Sequence, residues 1–213
     1  MSRAHRGSPT RGLREPLLAV ALLAGSVAFT AVWAVDGGGP GIRDGATWLW
    51  DRVEGELARV DGSSGRVDLR IDLDEADGEG LRIVQRGDVV LVVDTRTGAV
   101  SSLDVRGLRV AARTTFASGT DLDVVLGDGS AFVIDLAAGT VQRVDPFTLR
   151  PEGATLRLGP GLTRGVADDD GRLWIARGTT GEVIRVDEAG GGLREGVRRR
   201  VAEPGSRLEL TVA

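Results

Sequence analysis

The chain has 213 residues, a formal net charge of −4 and 41% hydrophobic residues, which is enough for one ordinary hydrophobic core. The mild acidity argues against a nucleic-acid partner, because neutralising phosphates requires a clustered basic surface. The sequence contains no cysteine, and its one histidine is His5, near the N-terminus. Disulfides, thiolate metal sites and imidazole-based catalysis are therefore excluded from the rest of the chain, which leaves carboxylates as candidate acids and bases.

Residues 1–15 form a basic leader that we predict to be cytoplasmic, and residues 16–35 are predicted to form a transmembrane or signal-anchor helix. The apolar run 17–35 carries no charge and would span roughly 28 Å as a helix, close to the hydrocarbon thickness of a bilayer. The leader arginines should stay in the cytoplasm, which places the rest of the chain outside. Val32 and Ala34 also fit a signal-peptidase site. The leader therefore predicts a single-pass cell-membrane anchor or, if it is cleaved, a secreted protein.

Residues 36–43 are predicted to be a flexible glycine-rich spacer, and residues 44–213 contain a repeat. The repeat is marked by a turn glycine, a second glycine, and an apolar residue followed by Asp. The first marker recurs every 42 residues, and the other two recur at intervals of 43, 41 and 42. Three markers that share one period predict four copies of one structural unit. The turn glycines are Gly45, Gly87, Gly129 and Gly171. The second glycines are Gly55, Gly98, Gly139 and Gly181, and the apolar-Asp pairs are Val60-Asp61, Leu103-Asp104, Val144-Asp145 and Val186-Asp187.

Each copy has the pattern of short antiparallel strands joined by tight turns. An Asp-Gly pair before an apolar run is typical of a hairpin turn. The runs that follow are nearly continuous, which is typical of a strand buried on both faces. The next segments should return as half-exposed strands, with Arg59, Arg143 and Arg185 facing water. The apolar runs are 48–50, 89–93, 131–134 and 173–176; the return strands are 56–60, 99–103, 140–144 and 182–186; further strands before the turn are 81–84, 122–126 and 164–167.

We therefore predict an all-β fold in which four β-propeller blades, in a complete or incomplete ring, follow one N-terminal helix. Four antiparallel strands in about 42 residues is the size of a propeller blade. A β-solenoid is the structural alternative, although its coils are shorter, about 20 to 30 residues. Blades are expected near 44–85, 86–127, 128–169 and 170–213.

Residues 208–213 align with 81–86, the strand before a turn glycine, whereas the first copy lacks that strand. Three architectures satisfy this count. Residues 208–213 could supply the missing strand and close a four-bladed ring, which would remove exposed strand edges. The chain could instead be part of a larger propeller. In the third architecture, a homodimer forms one eight-bladed ring around a two-fold axis.

Two acidic groups are candidates for cation binding. The run 168–170 could bind Ca²⁺, which prefers several oxygen ligands, or form a solvated turn. The acidic segment 72–79 fails the spacing of a calcium loop, so we expect it to be a surface loop. The carboxylates concerned are Asp168, Asp169 and Asp170, and Asp72, Asp74, Glu75, Asp77 and Glu79.

A basic run and three tryptophans are the remaining candidates. The basic run could bind anionic polymers or lipid head groups, or be a solvated edge; it contains Arg194, Arg198, Arg199 and Arg200. Trp48, Trp50 and Trp174 could stack on sugar rings. Trp48 and Trp174, however, share a repeat position with Leu91 and Phe132, which indicates the core of a blade. No residue is assigned as catalytic, cofactor-binding or metal-ligating, and no cofactor is expected.

The repeat resembles those of the YVTN, NHL and streptogramin-lyase-like propeller group, whose blades often contain Asp-Gly-x-Leu-Trp-Val followed by Thr-Gly-x-Val-x-Arg-Val-Asp. The best match runs from Asp170 to Asp187 and includes Leu173-Trp174-Ile175, Thr180-Gly181-Glu182-Val183 and Arg185-Val186-Asp187. The resemblance covers residues 45–213 and implies the fold rather than an activity, since streptogramin lyases use a catalytic histidine that this segment lacks.

With its leader, the chain also resembles the N-terminal portion of actinobacterial secreted proteins with fibronectin type III domains. In those proteins a membrane segment and a propeller precede the fibronectin modules. All 27 basic residues here are arginine, and this preference for GC-rich codons also favours an actinobacterial source.

These observations predict a membrane-tethered, extracytoplasmic propeller module that acts in binding or scaffolding, with a protein or a cell-wall carbohydrate as its partner. Function in such a fold usually lies on the loops, and the fold alone does not name the ligand. One alternative is the N-terminal piece of a secreted polysaccharide-acting enzyme, whose carboxylates would have to lie about 5 to 9.5 Å apart. Another is a truncated propeller fragment. Lack of His and Cys in the domain makes catalysis the less favoured function.

Overall fold

In a computed structural model of the chain, the described residues are 46–51, 54–73, 80–116 and 121–211. They form fifteen β-strands and no helix, and nothing in them has the helical length and hydropathy needed to cross a membrane. The predictions for the leader, the membrane helix and the spacer concern residues 1–43, which lie outside the described residues.

The strands form four antiparallel sheets, numbered 1 to 4 in chain order, and within each sheet consecutive strands pair as a meander. Sheet 1 has three described strands, and sheets 2, 3 and 4 have four each. The chain therefore has the all-β architecture of propeller blades. Sheet 1 contains β1 (Ala46–Asp51), β2 (Glu56–Asp61) and β3 (Val67–Asp72); sheet 2 contains β4 (Leu81–Arg86), β5 (Val89–Asp94), β6 (Ala99–Asp104) and β7 (Arg109–Thr115). Sheet 3 contains β8 (Leu122–Leu126), β9 (Ala131–Asp135), β10 (Thr140–Val144) and β11 (Leu156–Arg157); sheet 4 contains β12 (Leu162–Ala167), β13 (Leu173–Arg177), β14 (Glu182–Ala189) and β15 (Gly192–Arg200).

The sheets and the sequence repeats start at different points. The strand before each turn glycine pairs with the strand after it, as β4 pairs with β5 and β8 with β9. Sheet 2 consequently covers 81–115, whereas the repeat counted from its turn glycine covers 86–127. The difference arises because a hairpin turn joins two strands of one hydrogen-bonded ladder, so the marker lies inside a sheet rather than at its boundary.

The turn markers have the backbone conformations that the sequence predicts. Within the described residues, the first-marker glycines have φ of +56 to +76° and the second-marker glycines +67 to +73°. The aspartates after the return strands accept hydrogen bonds from the following turn, as when Asp145 Oδ1 accepts from the backbone N–H of Thr148 at 2.7 Å. Hydrogen bonds from the hydroxyls of Ser63 and Ser64 lower the pKa of Asp61 to about 2. These aspartates stabilise turns.

Within the described ranges, the hydrophobic core consists of three clusters, each between two neighbouring sheets. Strand β5 contributes to two of them, because Val90 and Val92 pack towards sheet 1, whereas Leu91 and Val93 pack towards sheet 3. All four side chains are at most 4% exposed. This confirms that the nearly continuous apolar runs are strands buried on both faces.

One of the four return strands is more buried than the sequence predicts. Strand β6 has Val100 at 0% and Leu103 at 2% exposure, so its prediction as a half-exposed strand is wrong; both of its faces pack against neighbouring sheets. The three arginines expected to face water have side chains only 18–30% exposed, and each is held by a carboxylate on the paired strand, on the neighbouring sheet or two residues along its own strand. The pairs are Arg59–Asp68, Arg143–Glu188 and Arg185–Asp187.

A buried polar chain joins the first strands of sheets 2, 3 and 4. Arg82 Nη2 on β4 lies 2.6 Å from Asp123 Oδ1 on β8. The second oxygen of Asp123 accepts a hydrogen bond from the backbone N–H of Gly165 on β12 at 2.9 Å. Asp123 is 1% exposed, so this buried carboxylate on sheet 3 binds both of the neighbouring sheets.

Gln85 makes the link between sheets 1 and 2. Its Oε1 accepts a hydrogen bond from the Trp48 N–H at 3.2 Å, and its Nε2 donates to the Ala46 carbonyl at 3.3 Å. The side chain thus bonds the backbone of β1 as a neighbouring strand would. Residues 201–211 form no strand, and 212–213 lie outside the described residues; closure of the ring by 208–213 therefore stays a prediction.

Candidate functional site

A groove of about 480 Å³ opens between sheets 3 and 4, beside the β8–β9 and β12–β13 turns. The two turns are in contact, because a methyl group added at Gly171 would lie 2.5 Å from the backbone nitrogen of Asp128. We call this opening the blade groove. Its charged lining residues are Asp128, Asp170, Arg172, Arg185, Asp187, Glu188 and Arg194.

Asp168 organises the turn that forms one wall of the blade groove. Its carboxylate accepts hydrogen bonds from the backbone N–H and the Nε–H of Arg172, at 2.9 and 3.0 Å, and from the Trp174 Nε1–H at 2.9 Å. Burial alone would raise the pKa of Asp168, but the bonds from Trp174 and Arg172 outweigh it and lower the pKa. Asp168 is therefore a fixed anion at neutral pH.

Arg185 and Asp187 form the second fixed pair of the blade groove. The guanidinium donates two hydrogen bonds to the carboxylate, at 2.6 and 3.1 Å, and lies 5.9 Å from the centre of the Trp174 ring. The hydrogen bond from Arg185 lowers the pKa of Asp187, and Arg194 on the paired strand contributes in the same direction. Bidentate pairing and contact with the ring restrict Arg185 to one orientation.

Exposed charges of both signs line the blade groove. Asp128 lies at the tip of the β8–β9 turn and is exposed, as is Arg194 on β15. Glu188 is bound at 2.6 Å by Arg143 from sheet 3, so an ion pair ties the two sheets together beside the groove. A partner with both an acidic and a basic group would match this surface better than an apolar molecule would.

The chemistry of these carboxylates favours binding over proton transfer. A general acid at neutral pH needs a pKa raised towards 7, whereas the pKa values of Asp168 and Asp187 are lowered. Asp123, the buried carboxylate on the first strand of sheet 3, is held by Arg82 and Gly165. It therefore acts in the packing of the sheets.

The two acidic groups predicted as candidates for cation binding have different surroundings in the structure. Of the run 168–170, two carboxylates are ion-paired to Arg172, those of Asp168 and Asp170, so a guanidinium holds the place that a cation would take. Asp72 is exposed at the end of β3, and the other acidic residues of 72–79 lie outside the described residues. In the described part of the chain, no three acidic or histidine side chains are grouped as metal ligands.

The basic run lies along β15 at the edge of sheet 4. Arg194 lines the blade groove. Arg198 is bound to Glu195 by two bonds of 2.6 Å and lies 3.6 Å from Glu182. Arg199 and Arg200 are exposed. The run is thus divided between the groove, an ion-pair network and a solvated edge.

The three tryptophans do not share one surface. Trp48 is 5% exposed and belongs to the core between sheets 1 and 2, and Trp50 packs against the same cluster. The prediction of a core position is confirmed for Trp48. Trp174 is half-buried on β13 of sheet 4, where Arg185 lies over its ring. Positions that share a repeat register thus have different exposures when the neighbouring sheet differs.

The sequence marks most residues of the blade groove only as turn or strand positions. It predicts Asp128 and Asp170 as hairpin residues, and Arg185 and Asp187 as parts of a strand and its closing turn. The available signal was the period itself, since equivalent turns of neighbouring blades lie at the same end of the ring. Arg172 and Glu188 gave no signal of their own.

Comparison with solved structures identifies the fold. The chain is similar to virginiamycin B lyase from Staphylococcus aureus, with 12% sequence identity and a TM-score of 0.55 over 78% of this chain and 55% of that chain. It is similar to the dihydro-heme d1 dehydrogenase NirN, at 18% identity and a TM-score of 0.55 over 75% and 36%. It is also similar to the WD40 domain of Toxoplasma gondii coronin, at 18% identity and a TM-score of 0.52 over 75% of this chain and 43% of that chain.

The chain therefore has a β-propeller fold, and the resemblance to streptogramin-lyase-like propellers is confirmed at that level. It spans about a third to just over half of the length of the three structures. At these identities the likeness concerns the fold alone. No protein-family model and no curated protein matches the chain.

Proposed function

We propose that the chain is a membrane-tethered, extracytoplasmic β-propeller module that works by binding a protein partner, and that the blade groove is its docking surface. The observation that carries this proposal is the arrangement of acidic and basic side chains, fixed by ion pairs, around an opening of about 480 Å³. Preorganised charges select a partner by complementarity and need little reordering when it binds.

The membrane tether is supported by the sequence. The leader arginines precede nineteen uncharged residues, 17–35, the arrangement in which a basic flank stays in the cytoplasm and the C-terminal part is exported.

Reporter fusions test the tether. Alkaline phosphatase joined after Ala213 should be active in intact cells, because that enzyme requires an exported location, whereas a fluorescent protein that matures only in the cytoplasm should stay dark. Replacing Arg3, Arg6, Arg11 and Arg14 by glutamate should reduce the exported fraction. Phosphatase activity unchanged by that replacement would contradict the assigned orientation.

Site-specific crosslinking tests the docking surface. A photoreactive amino acid at Asp128, on the exposed tip beside the blade groove, should give a discrete protein adduct in intact cells. The matched control is the same group at Phe147, which is 54% exposed on a different turn. The adduct at 128 should be lost in Arg194→Glu, which reverses an accessible charge of the groove. Equal adducts at both positions, or an adduct that survives Arg194→Glu, would refute the docking surface.

A further sheet is proposed to pack against sheet 4. Trp48, Leu91 and Phe132 share one repeat position, lie between two sheets and are 5%, 0% and 2% exposed. Trp174 holds the same position on the opposite face of β13 from Leu173 and Ile175, which pack towards sheet 3. The additional sheet comes either from more chain or from a second copy, as in the predicted homodimer. Light scattering distinguishes them, because only the second requires a dimeric mass.

The other functions that the sequence suggests stay proposals. Fibronectin type III modules in the same protein, and a carbohydrate partner in the cell wall, follow from the likeness to actinobacterial secreted proteins. A polysaccharide-acting enzyme would need two carboxylates about 5 to 9.5 Å apart with one of raised pKa. Hydrolysis of a cell-wall polysaccharide that survives replacement of Asp187 and Glu188 would place such a site elsewhere in the protein.

A further inference from the structure

A second groove, of about 440 Å³, lies between sheets 1 and 2 and continues the hydrophobic core between them. Its inner wall contains Ile71, Leu81 and Val92, which belong to that core or pack against it. Its outer rim is formed by Leu108 and Val110, which are 40% and 41% exposed. Two large exposed hydrophobic residues thus lie beside one opening, which we call the edge groove.

Leu108 has a backbone conformation that costs energy without a matching gain in burial. Its φ is +51°, in the left-handed region that favours glycine, and Leu149 in the equivalent turn of sheet 3 has φ +56°. Leu149 is 1% exposed, so burial of its side chain offsets the strain. The equivalent turn of sheet 1 has Gly65 at φ +65°. Leu108 has neither the burial of Leu149 nor the freedom of Gly65.

Among the last strands of the four sheets, the strand beside the edge groove is the least protected by short length or charge. Strand β7 has seven residues and, among the described residues, pairs only with β6. The corresponding strand β11 has two residues, and β15 contains four arginines. Strand β3 carries ion-paired charges, because Arg59–Asp68 and Arg70–Glu56 join it to β2. Short length and dense charge discourage strand addition, and β7 has neither.

The charges carried by strand β7 itself are positive. The strand contains Arg109 and Arg113 and no acidic residue. Arg109 has a side chain 68% exposed and reaches Asp104 at 3.3 Å. Of the carboxylates that line the groove, Asp94 accepts hydrogen bonds from its own turn, and Asp72 lies on the opposite wall. A carboxylate on a segment added to β7 would therefore meet Arg109, whose side chain stays exposed beside its ion pair with Asp104.

We propose that β7 and the edge groove form a peptide-docking site for an extended segment with alternating aliphatic and acidic side chains. The segment adds as a further strand to the edge of β7, places one aliphatic side chain between Leu108 and Val110, and sets a carboxylate against Arg109. Main-chain hydrogen bonds supply affinity and the groove supplies side-chain selectivity, as in other cases of strand addition. The site lies on different sheets from the blade groove and does not depend on it.

The test uses Leu108→Gly, for which folding and docking respond in opposite directions. Glycine relieves the strain at φ +51°, so the thermal midpoint should stay unchanged or rise. Removing a leucine side chain that the partner would bury should weaken peptide binding about tenfold or more. The matched control Leu149→Gly has the same backbone conformation and a buried side chain, so it should lower the thermal midpoint.

The probe is a phage-displayed library of short random peptides selected on the full chain in detergent, and the enriched sequences are then synthesised for fluorescence anisotropy. Enrichment of alternating aliphatic and acidic residues, with binding weakened by Leu108→Gly and by Arg109→Glu, supports the proposal. Absence of enrichment, equal binding to wild type and Leu108→Gly, or stronger binding to Arg109→Glu overturns it. Self-association that disappears in Leu108→Gly would also overturn it, since the occupant would be a second copy. Arg194→Glu should leave peptide binding unchanged, which separates this site from the blade groove.

Discussion

Replacing Asp123 with alanine removes the carboxylate that joins the first strands of sheets 2, 3 and 4. Asp123 is 1% exposed and the Arg82 side chain 10%, so the change leaves a guanidinium largely buried without this counterion. Breaking a buried ion pair from one side costs about 3–5 kcal/mol. The N–H of Gly165 also loses its acceptor, a contribution of about 1–3 kcal/mol that overlaps with the first. We expect the free energy of unfolding to fall by about 4 kcal/mol.

A double-mutant cycle with Arg82→Met and Asp123→Leu measures the pair itself. Urea unfolding followed by tryptophan fluorescence reports the sheets directly, because Trp48 lies in the core between sheets 1 and 2. Each single variant should be strongly destabilised, and the double variant less than the sum by about 2–3 kcal/mol, since no unpaired charge remains. A loss below about 1 kcal/mol for Asp123→Ala, or strictly additive effects, would refute a buried interaction between the sheets.

Three further predictions test the turns and the core. Gly171→Ala should destabilise the fold more than Gly87→Ala in chemical unfolding. Both glycines have positive φ, but a methyl group added at position 171 would clash with Asp128, whereas one added at position 87 would have no atom within 4 Å. Equal losses would contradict the contact between the two turns. Phe132→Ala, at a site 2% exposed, should cost about 3–5 kcal/mol, whereas Phe147→Ala, at 54% exposure, should stay within about 0.5 kcal/mol of wild type; comparable losses at both would disprove the assigned core. Turn hydrogen bonds hold the pKa of Asp61 at about 2 and also lower the pKa of Asp145, whereas an aspartate in the unfolded chain has a pKa of about 3.9. The stabilisation that these two carboxylates provide should therefore be present above about pH 4 and fall as the pH drops towards 2. In Asp61→Asn the free energy of unfolding should fall less steeply as the pH drops. A pH dependence identical to that of the wild type would exclude Asp61 as a cause of the loss.

The strands nearest the turns could be predicted because their signals are local. Gly98 and Gly181 have the positive φ that their turns require, and Val89–Asp94 forms the strand buried on both faces that its unbroken apolar run indicates. These features depend on the conformational freedom of single residues and on hydrophobic pattern. The fold class followed from their recurrence at one period.

The outermost strands could not be located in the same way. Strands β7 and β15 are largely exposed, so they have neither a buried face nor a continuous apolar run. Strand β11 has only two residues. A strand whose identity comes from pairing with its neighbour has little pattern of its own, because exposed positions accept many residue types.

The candidate sites depend on contacts between residues distant in the chain. Asp128 meets Gly171 across two sheets, Glu188 binds Arg143, and Arg82 binds Asp123. Periodicity indicates that such positions are equivalent, but it does not show which side chains of neighbouring blades reach one another. The pairing of charges in the blade groove therefore required the tertiary structure.

The sequence by itself determined the repeat, its turn chemistry and the propeller class, because turns and buried strands are encoded by residues close together in the chain. Only the tertiary structure decided where each sheet starts, which arginines are ion-paired, and why Leu149 is buried and Leu108 is exposed in equivalent turns. The physical reason is that burial and electrostatic pairing depend on the neighbouring sheet, and each of the four sheets has different neighbours.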